Sequence, residues 1–192
     1  MQKQNFRAVV ALLRGVNLGG TNRVQMDALR EMCEGLGLRE PKTYLQSGNV
    51  VFGTAEQDLV RLGKRMEKAI EAEFGFRTDV ILRTGAEMEH VVARNPFAKR
   101  RGIDPSKLLV TFLAGDPDPD AREQVRHMKA DPEELYIDGR EVYIYFPNGM
   151  ARPKLSWVAI AKTLKTQGTG RNWNSVIKLL EMAQKMNNPG AL

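Results

Sequence analysis

Two glycine-rich polar stretches in this chain are built from residue types that hold anions. The first is Arg14-Gly15-Val16-Asn17-Leu18-Gly19-Gly20-Thr21-Asn22, between an apolar run and a helical pattern. Backbone N–H groups at such a strand-to-helix junction, with the helix dipole behind them, attract phosphate or carboxylate. Gly15 and Gly20 have the outer spacing of a P-loop, but Thr21 stands where its Lys belongs and Asn22 where its hydroxyl belongs. A nucleoside-triphosphate site is therefore not implied. The other reading is a tight turn made possible by glycines, with Asn22 as a helix cap. The second stretch is Gly168-Thr169-Gly170-Arg171-Asn172-Trp173-Asn174-Ser175, ahead of the last helical pattern. Arg171 offers a bidentate fork for phosphate or carboxylate, and Trp173 a stacking face. Alternatively Asn174 or Ser175 caps the helix, Trp173 packs inward and Arg171 lies in solvent.

Other chemistries fail on spacing. Asp116, Asp118 and Asp120 alternate like a calcium loop, but Ala121 and His127 stand where a Gly and the closing acid belong. A Pro-started, capped helix explains those acids. His90 and His127 are far apart and Cys33 is the single cysteine, so no metal site and no cofactor is implied. Cys33 sits on an apolar helical face and reads as core. No Ser-His-acid order or nucleophile elbow is present, and no carboxylate pair is singled out for acid–base work. Whether the chain is an enzyme stays open. Tyr143 and Tyr145 share one face of a strand without the glycine-aromatic motif of RNA-recognition modules, which reads as a half-exposed strand.

The elements that must position these residues follow from periodicity. Phe6–Leu13 reads as a buried strand, Met26 to Leu36 as a helix begun by Asn22 and Gln25, and Gly37 as its end. Thr43–Gln46 and Val50–Phe52 flank the three-residue hairpin loop Ser47-Gly48-Asn49. A helix from Leu59 to Phe74 and a strand from Thr78 to Leu82 complete β-α-β-β-α-β, the ferredoxin-like order. Thr84 and Glu87 open a linking helix stopped at Asn95-Pro96, and a basic loop follows to Ser106. The order then restarts: strand Leu108–Leu113, helix near 121–129, strands Leu135–Ile137 and Val142–Phe146 around Asp138-Gly139, and helix Leu155–Leu164. Where a last strand is due, Thr166–Arg171 reads as loop, followed by a helix from Asn174 to Met186.

The expected architecture is thus α/β (α+β): a tandem duplication of ferredoxin-like βαββαβ subdomains, the second copy incomplete, with an extra C-terminal helix. Boundaries fall at 1–84, a linking helix and basic loop at 85–106, and 107–192, in one compact chain.

With 192 residues, ordinary apolar and charged fractions and one cysteine, the chain reads as globular, soluble and cytoplasmic. No segment has signal-peptide or membrane-spanning length. The net charge of +6 is localised. Between Val142 and Leu180 there is no acid, but there are Arg152, Lys154, Lys162, Lys165, Arg171 and Lys178. Those six carry the whole excess, creating a local field for phosphate, nucleic acid or an acidic partner, or else a merely solvated face.

Three segments carry a family resemblance. Ala11–Gly20 with Asn22, Met26 and Leu29, the hairpin Tyr44–Phe52, and Thr169 with Arg171–Asn174 resemble the signatures of the bacterial domain-of-unknown-function family 1697. Asn95-Pro96-Phe97 and Lys154-Leu155 fit its pattern too. The resemblance spans nearly the whole chain and implies the duplicated ferredoxin-like fold, but no activity. Pro153 stands where the family often has Ser before Lys-Leu, so a hydroxyl-dependent role there is not implied. Gly170 replaces a residue that is often bulkier.

Membership of signatures makes Arg14, Asn17, Gly19, Gly20, Asn22, Ser47, Asn49, Arg171, Asn172, Trp173 and Asn174 the candidate ligand-binding residues. They either converge on one polar cleft or brace the junction of the two halves. The leading function is binding of a phosphorylated or otherwise anionic ligand, a small molecule or nucleic acid. The alternatives are an enzyme acting on a small metabolite and a structural or interaction module. The expected assembly is a monomer or weak homodimer.

Overall fold

A short alternating-free apolar run such as Ala8–Leu13 has nowhere to go but the centre of a sheet covered on both faces. In the computed structural model, which describes residues 6–188, that run is the strand β1 (Arg7–Leu13), buried from Ala8 onward. The domain boundaries expected above also take in 1–5 and 189–192, which lie outside the described residues. The chain divides into two compact units, 1–89 with 178–192, and 90–177. The segment 85–106 is shared between them, and the end of the last helix goes with the first unit.

The first unit runs β1, α1 (Met26–Gly35), β2 (Arg39–Tyr44), β3 (Asn49–Thr54), α2 (Leu59–Phe74) and β4 (Val80–Thr84). Its strands form one antiparallel sheet in the order β2-β3-β1-β4. Val9, Ala11 and Leu13 of β1 meet Val50 and Phe52 of β3, Leu29 and Cys33 of α1, and Leu62, Met66 and Ile70 of α2 in a single core. Burial, aided by Glu34, pushes the Cys33 thiol up to about 12, as befits a core residue. Asp58 caps α2 by accepting from the Arg61 amide at 2.9 Å, and Gly75 closes it in the left-handed region.

The second unit runs β5 (Leu108–Leu113), α4 (Pro119–Arg126), β6 (Glu134–Asp138), β7 (Glu141–Tyr145), α5 (Trp157–Leu164) and β8 (Gly168–Asn172). The helix between β4 and β5 is α3 (Gly85–Ala93), and α6 (Trp173–Asn187) follows β8. The second sheet is antiparallel in the order β6-β7-β5-β8. Its core gathers Leu113, Val125, Ile137, Val142, Ile144, Phe146, Ile160 and Leu164. No helix among the described residues is long and apolar enough to cross a membrane.

Two expectations hold in detail. Thr84 and Glu87 form a reciprocal capping box at α3, with bonds of 3.1 and 2.7 Å. The β6–β7 turn is tight, with Gly139 at positive φ in a two-residue loop and Asp138 paired to Glu141.

Others are corrected. The second unit is not short of a strand: β8 pairs with β5 from Gly168 opposite Leu113 to Asn172 opposite Leu109. Its glycines misled the sequence reading, because they signal a turn in isolation. Here they answer crowding, since a Cβ on Gly168 would lie 2.9 Å from Thr111 Cγ2 and one on Gly170 3.1 Å from Leu109 Cδ2. The helix α1 is not capped by Asn22; its N-cap position is Gln25, which makes no side-chain cap bond. Asp118 likewise makes no cap bond, although Pro119 does start α4. Tyr143 and Tyr145 are buried instead of half-exposed, and the Tyr143 hydroxyl donates to the Val91 carbonyl at 2.8 Å. Burial raises the Tyr143 phenol above its ordinary value.

Candidate functional site

The first loop is shaped by side chains that turn back on their own backbone. Asn17 sits at φ +54°. Its amide nitrogen donates to the Val24 carbonyl at 3.0 Å and to the Gln46 carbonyl at 2.7 Å, while its oxygen accepts from the Val24 amide at 2.9 Å. One asparagine thus closes the loop and ties it to the β2–β3 hairpin. Asn22, also at positive φ, donates to the Gly15 carbonyl at 3.2 Å. Gly19 and Gly20 form the exposed tip, both at positive φ.

The hairpin turn is four residues, 45–48, and not the three read from sequence, because Asn49 already belongs to β3. Asn49 is fully buried and donates to the Tyr44 carbonyl at 2.9 Å and to Ser47 Oγ at 2.8 Å. Gly48 cannot be replaced without movement: its Cβ would stand 2.5 Å from Val16 Cγ2 and 2.8 Å from Leu13 Cβ. Residues 14–17 and 46–49 are therefore brought together in the first unit.

The third group lies in β8 and at the start of α6. Arg171 is 6% exposed, neither in solvent nor presented on a surface. Its Nη1 donates to Thr169 Oγ1 at 2.7 Å and to the Gly170 carbonyl at 2.9 Å. Burial pulls its guanidinium down to about 10, which leaves it charged at neutral pH. Arg83 of β4 stands opposite Val10 as Arg171 stands opposite Val110, and it is 1% exposed. It too donates Nη1 to the preceding carbonyl, at 2.9 Å. Asn172, not Asn174 or Ser175, caps α6: its oxygen accepts from the Asn174 amide at 3.0 Å, and its nitrogen donates to the Ser106 carbonyl at 2.8 Å. Trp173 is 9% exposed and Asn174 is exposed.

Arg14 differs from these loop residues because its charge faces an open cleft of about 360 Å³. The cleft is lined by Arg14 after β1, by Lys64, Glu67, Lys68 and Glu71 of α2, and by Arg77, Thr78 and Asp79 ahead of β4. The spacing of the four helical residues (i, i+3, i+4, i+7) puts them on one face. Arg14 Nε contacts Asp79 Oδ2 at 2.6 Å, and Arg77 Nε contacts Glu71 Oε1 at 2.7 Å. Lys64 pairs with Glu67 at 2.7 Å, and Lys68 makes no ion pair among the described residues. The hydrogen bonds to Glu67 and Glu71 raise Lys64 and Arg77 respectively, holding both as cations. Sequence reading found Arg14 but missed Lys64, Lys68, Arg77 and Asp79. The helical spacing of Lys64 and Lys68 was the available signal; that 77–79 lies beside them is a tertiary fact. Among the described residues no three His, Cys, Asp or Glu gather as a metal-ligand set.

Fold and site together define an α/β protein of two four-stranded antiparallel sheets, with polar, hydrogen-bonded loops at the strand ends. The family model described as "Protein of unknown function (DUF1697)" matches residues 6–143, and the chain belongs to that family. A solved structure, described as that of the conserved bacterial protein SP0830 from Streptococcus pneumoniae, superposes with a TM-score of 0.70 at 22% identity. The match covers 93% of this chain and 99% of that one, a likeness of fold. No curated protein matches.

Proposed function

We propose that this chain is a binding protein for a small phosphorylated or otherwise anionic molecule, taken at the Arg14 cleft. One observation carries the reading. Arg14 and Arg77 each spend only Nε on a carboxylate, and Lys68 spends nothing, so both guanidinium Nη edges and one ammonium remain available in one concave site. Planar forks backed by a point charge suit phosphate or carboxylate oxygens. Asp79 and Glu71 keep the two arginines oriented, Glu67 holds Lys64, and none of the three pairs with Lys68.

Asn17, Gly19, Gly20, Asn22, Ser47 and Asn49 shape the loops next to Arg14 in this reading. Arg171, Asn172, Trp173 and Asn174 act structurally in the second unit. We also read the two units as a duplication of a ferredoxin-like fold. Identical β-α-β-β-α-β order supports this, as do equivalent strand orders and the matched registers of β1–β4 and β5–β8. A single buried thiol suits a reducing, cytoplasmic setting, and we take the chain to be a monomer or weak homodimer.

Thermal unfolding with inorganic phosphate, pyrophosphate, nucleotides and sugar phosphates tests the reading. A ligand at one hundred times its Kd stabilises by about 2.7 kcal/mol, which raises Tm by about 5 °C or more in a chain of this size. That rise should vanish in Arg14→Ala and Lys68→Ala. A panel that leaves Tm unmoved, or variants that respond like the parent, would sink it.

A further inference from the structure

The acid-free C-terminal segment resolves into distinct fates for its six cations. Arg171 is buried in β8, and Lys178 pairs with Glu181 at 3.1 Å. Arg152, Lys154, Lys162 and Lys165 are all exposed, and none forms an ion pair among the described residues. This contrasts with Arg14, Arg61, Arg77, Arg100, Arg122 and Arg126, each of which has a carboxylate within 3.0 Å.

The four belong to one stretch of the second unit. Ile160 and Leu164 turn α5 inward to the core. Val158 (78% exposed) and Lys162 recur at i and i+4 on the outward face, and the exposed Lys165 closes the helix as its C-cap in the left-handed region. Arg152 and Lys154 lead into the helix, which starts where Ser156 Oγ accepts from the Ala159 amide at 3.3 Å.

That lead-in is held by a buried carboxylate. Glu133 is 6% exposed, and its two oxygens accept from the backbone amides of Lys154 at 3.2 Å and Leu155 at 3.1 Å. Burying an acid is costly unless it is hydrogen-bonded, and here its bonds go to the backbone that carries the basic side chains. Glu133 thereby fixes the path of the basic segment through the backbone.

We propose that Arg152, Lys154, Lys162 and Lys165 form a docking surface for the phosphate backbone of a nucleic acid, with Glu133 as its positioning residue. Charge complementarity selects the partner: four exposed cations without a carboxylate partner, in a stretch that contains no acid, suit the phosphates of a nucleic-acid backbone. A membrane is disfavoured because the apolar face of α5 is spent on the core and cannot enter lipid. The surface shares no residue with the Arg14 cleft.

The test is fluorescence anisotropy of the full chain with labelled 20-nucleotide single strands and 20-base-pair duplexes, from about 50 to 300 mM KCl. Four phosphate contacts predict that log K falls with log salt at a slope of about −3. The pairs R152E/K154E and K162E/K165E should each lose at least about tenfold at low salt and flatten that slope. Glu133→Gln separates position from charge. Removing an acid should tighten binding if net charge alone matters, whereas loss of positioning should weaken it about threefold or more with the slope unchanged. Circular dichroism melts check that each variant is folded. The proposal is overturned by no binding at 50 mM salt or by charge-reversed pairs that bind like the parent. It is equally overturned by retention on vesicles of 30% phosphatidylserine without retention of either nucleic acid. Tighter binding by Glu133→Gln would remove Glu133 from it.

Discussion

At the scale of single residues, the first loop depends most on Asn17. Its side chain makes three hydrogen bonds, and its backbone lies at φ +54°, where most side chains are strained. Asn17→Ala should cost about 2–4 kcal/mol, from roughly 1 kcal/mol per lost bond and about 1 kcal/mol of left-handed strain. Asn17→Gly removes the bonds but relieves the strain, so it should be less destabilising than Ala by about 1 kcal/mol. Urea unfolding of both variants measures the split; equal losses would mean the backbone conformation carries no cost. Asn17 was legible as a candidate from its type and its glycine neighbours. Its partner Gln46 was not, because no spacing rule connects a strand-to-helix loop with a hairpin 29 residues later.

Among the elements, the basic loop 99–106 is anchored to a strand of the second sheet. Arg100 donates through Nη1 and Nη2 to both Glu134 oxygens of β6, at 2.5 and 2.9 Å. The Arg100 bonds hold the Glu134 carboxyl below its ordinary range. A depressed folded-state value means that this contribution is fully present above the ordinary glutamate range and is lost as pH falls through the depressed value. Both side chains are about half exposed, so the effect is small. Stability should therefore fall further in the parent than in Arg100→Ala between about pH 6 and pH 3. Matched urea titrations across that range check it, and parallel pH profiles would refute it. Element order was read correctly from periodicity through the first seven strands, with shifted ends. The eighth was lost because Gly-Thr-Gly is a turn by propensity and a strand only when a neighbouring strand crowds it.

For the molecule as a whole, two sheets each built around a central antiparallel pair predict where exchange is slowest. Amides of β1 and β3 in the first unit, and of β5 and β7 in the second, should be the last to exchange deuterium, because these strands bond on both sides or lie under the core. Mass-spectrometric exchange should find two protected clusters separated in sequence. A gradient running from one end of the chain to the other would contradict it. The sequence by itself determined the element types other than β8, the buried β1, the caps at Thr84–Glu87 and Gly75, the family, and the acid-free segment. All of these are local patterns or compositional facts. Tertiary structure alone decided that Gly168–Asn172 is a strand and that Arg171 is buried. It also decided that Lys68 and Arg77 share a cleft with Arg14, and that Glu133 holds the approach to α5. Each depends on which distant residue arrives to crowd, bury or hydrogen-bond, and periodicity carries no record of that.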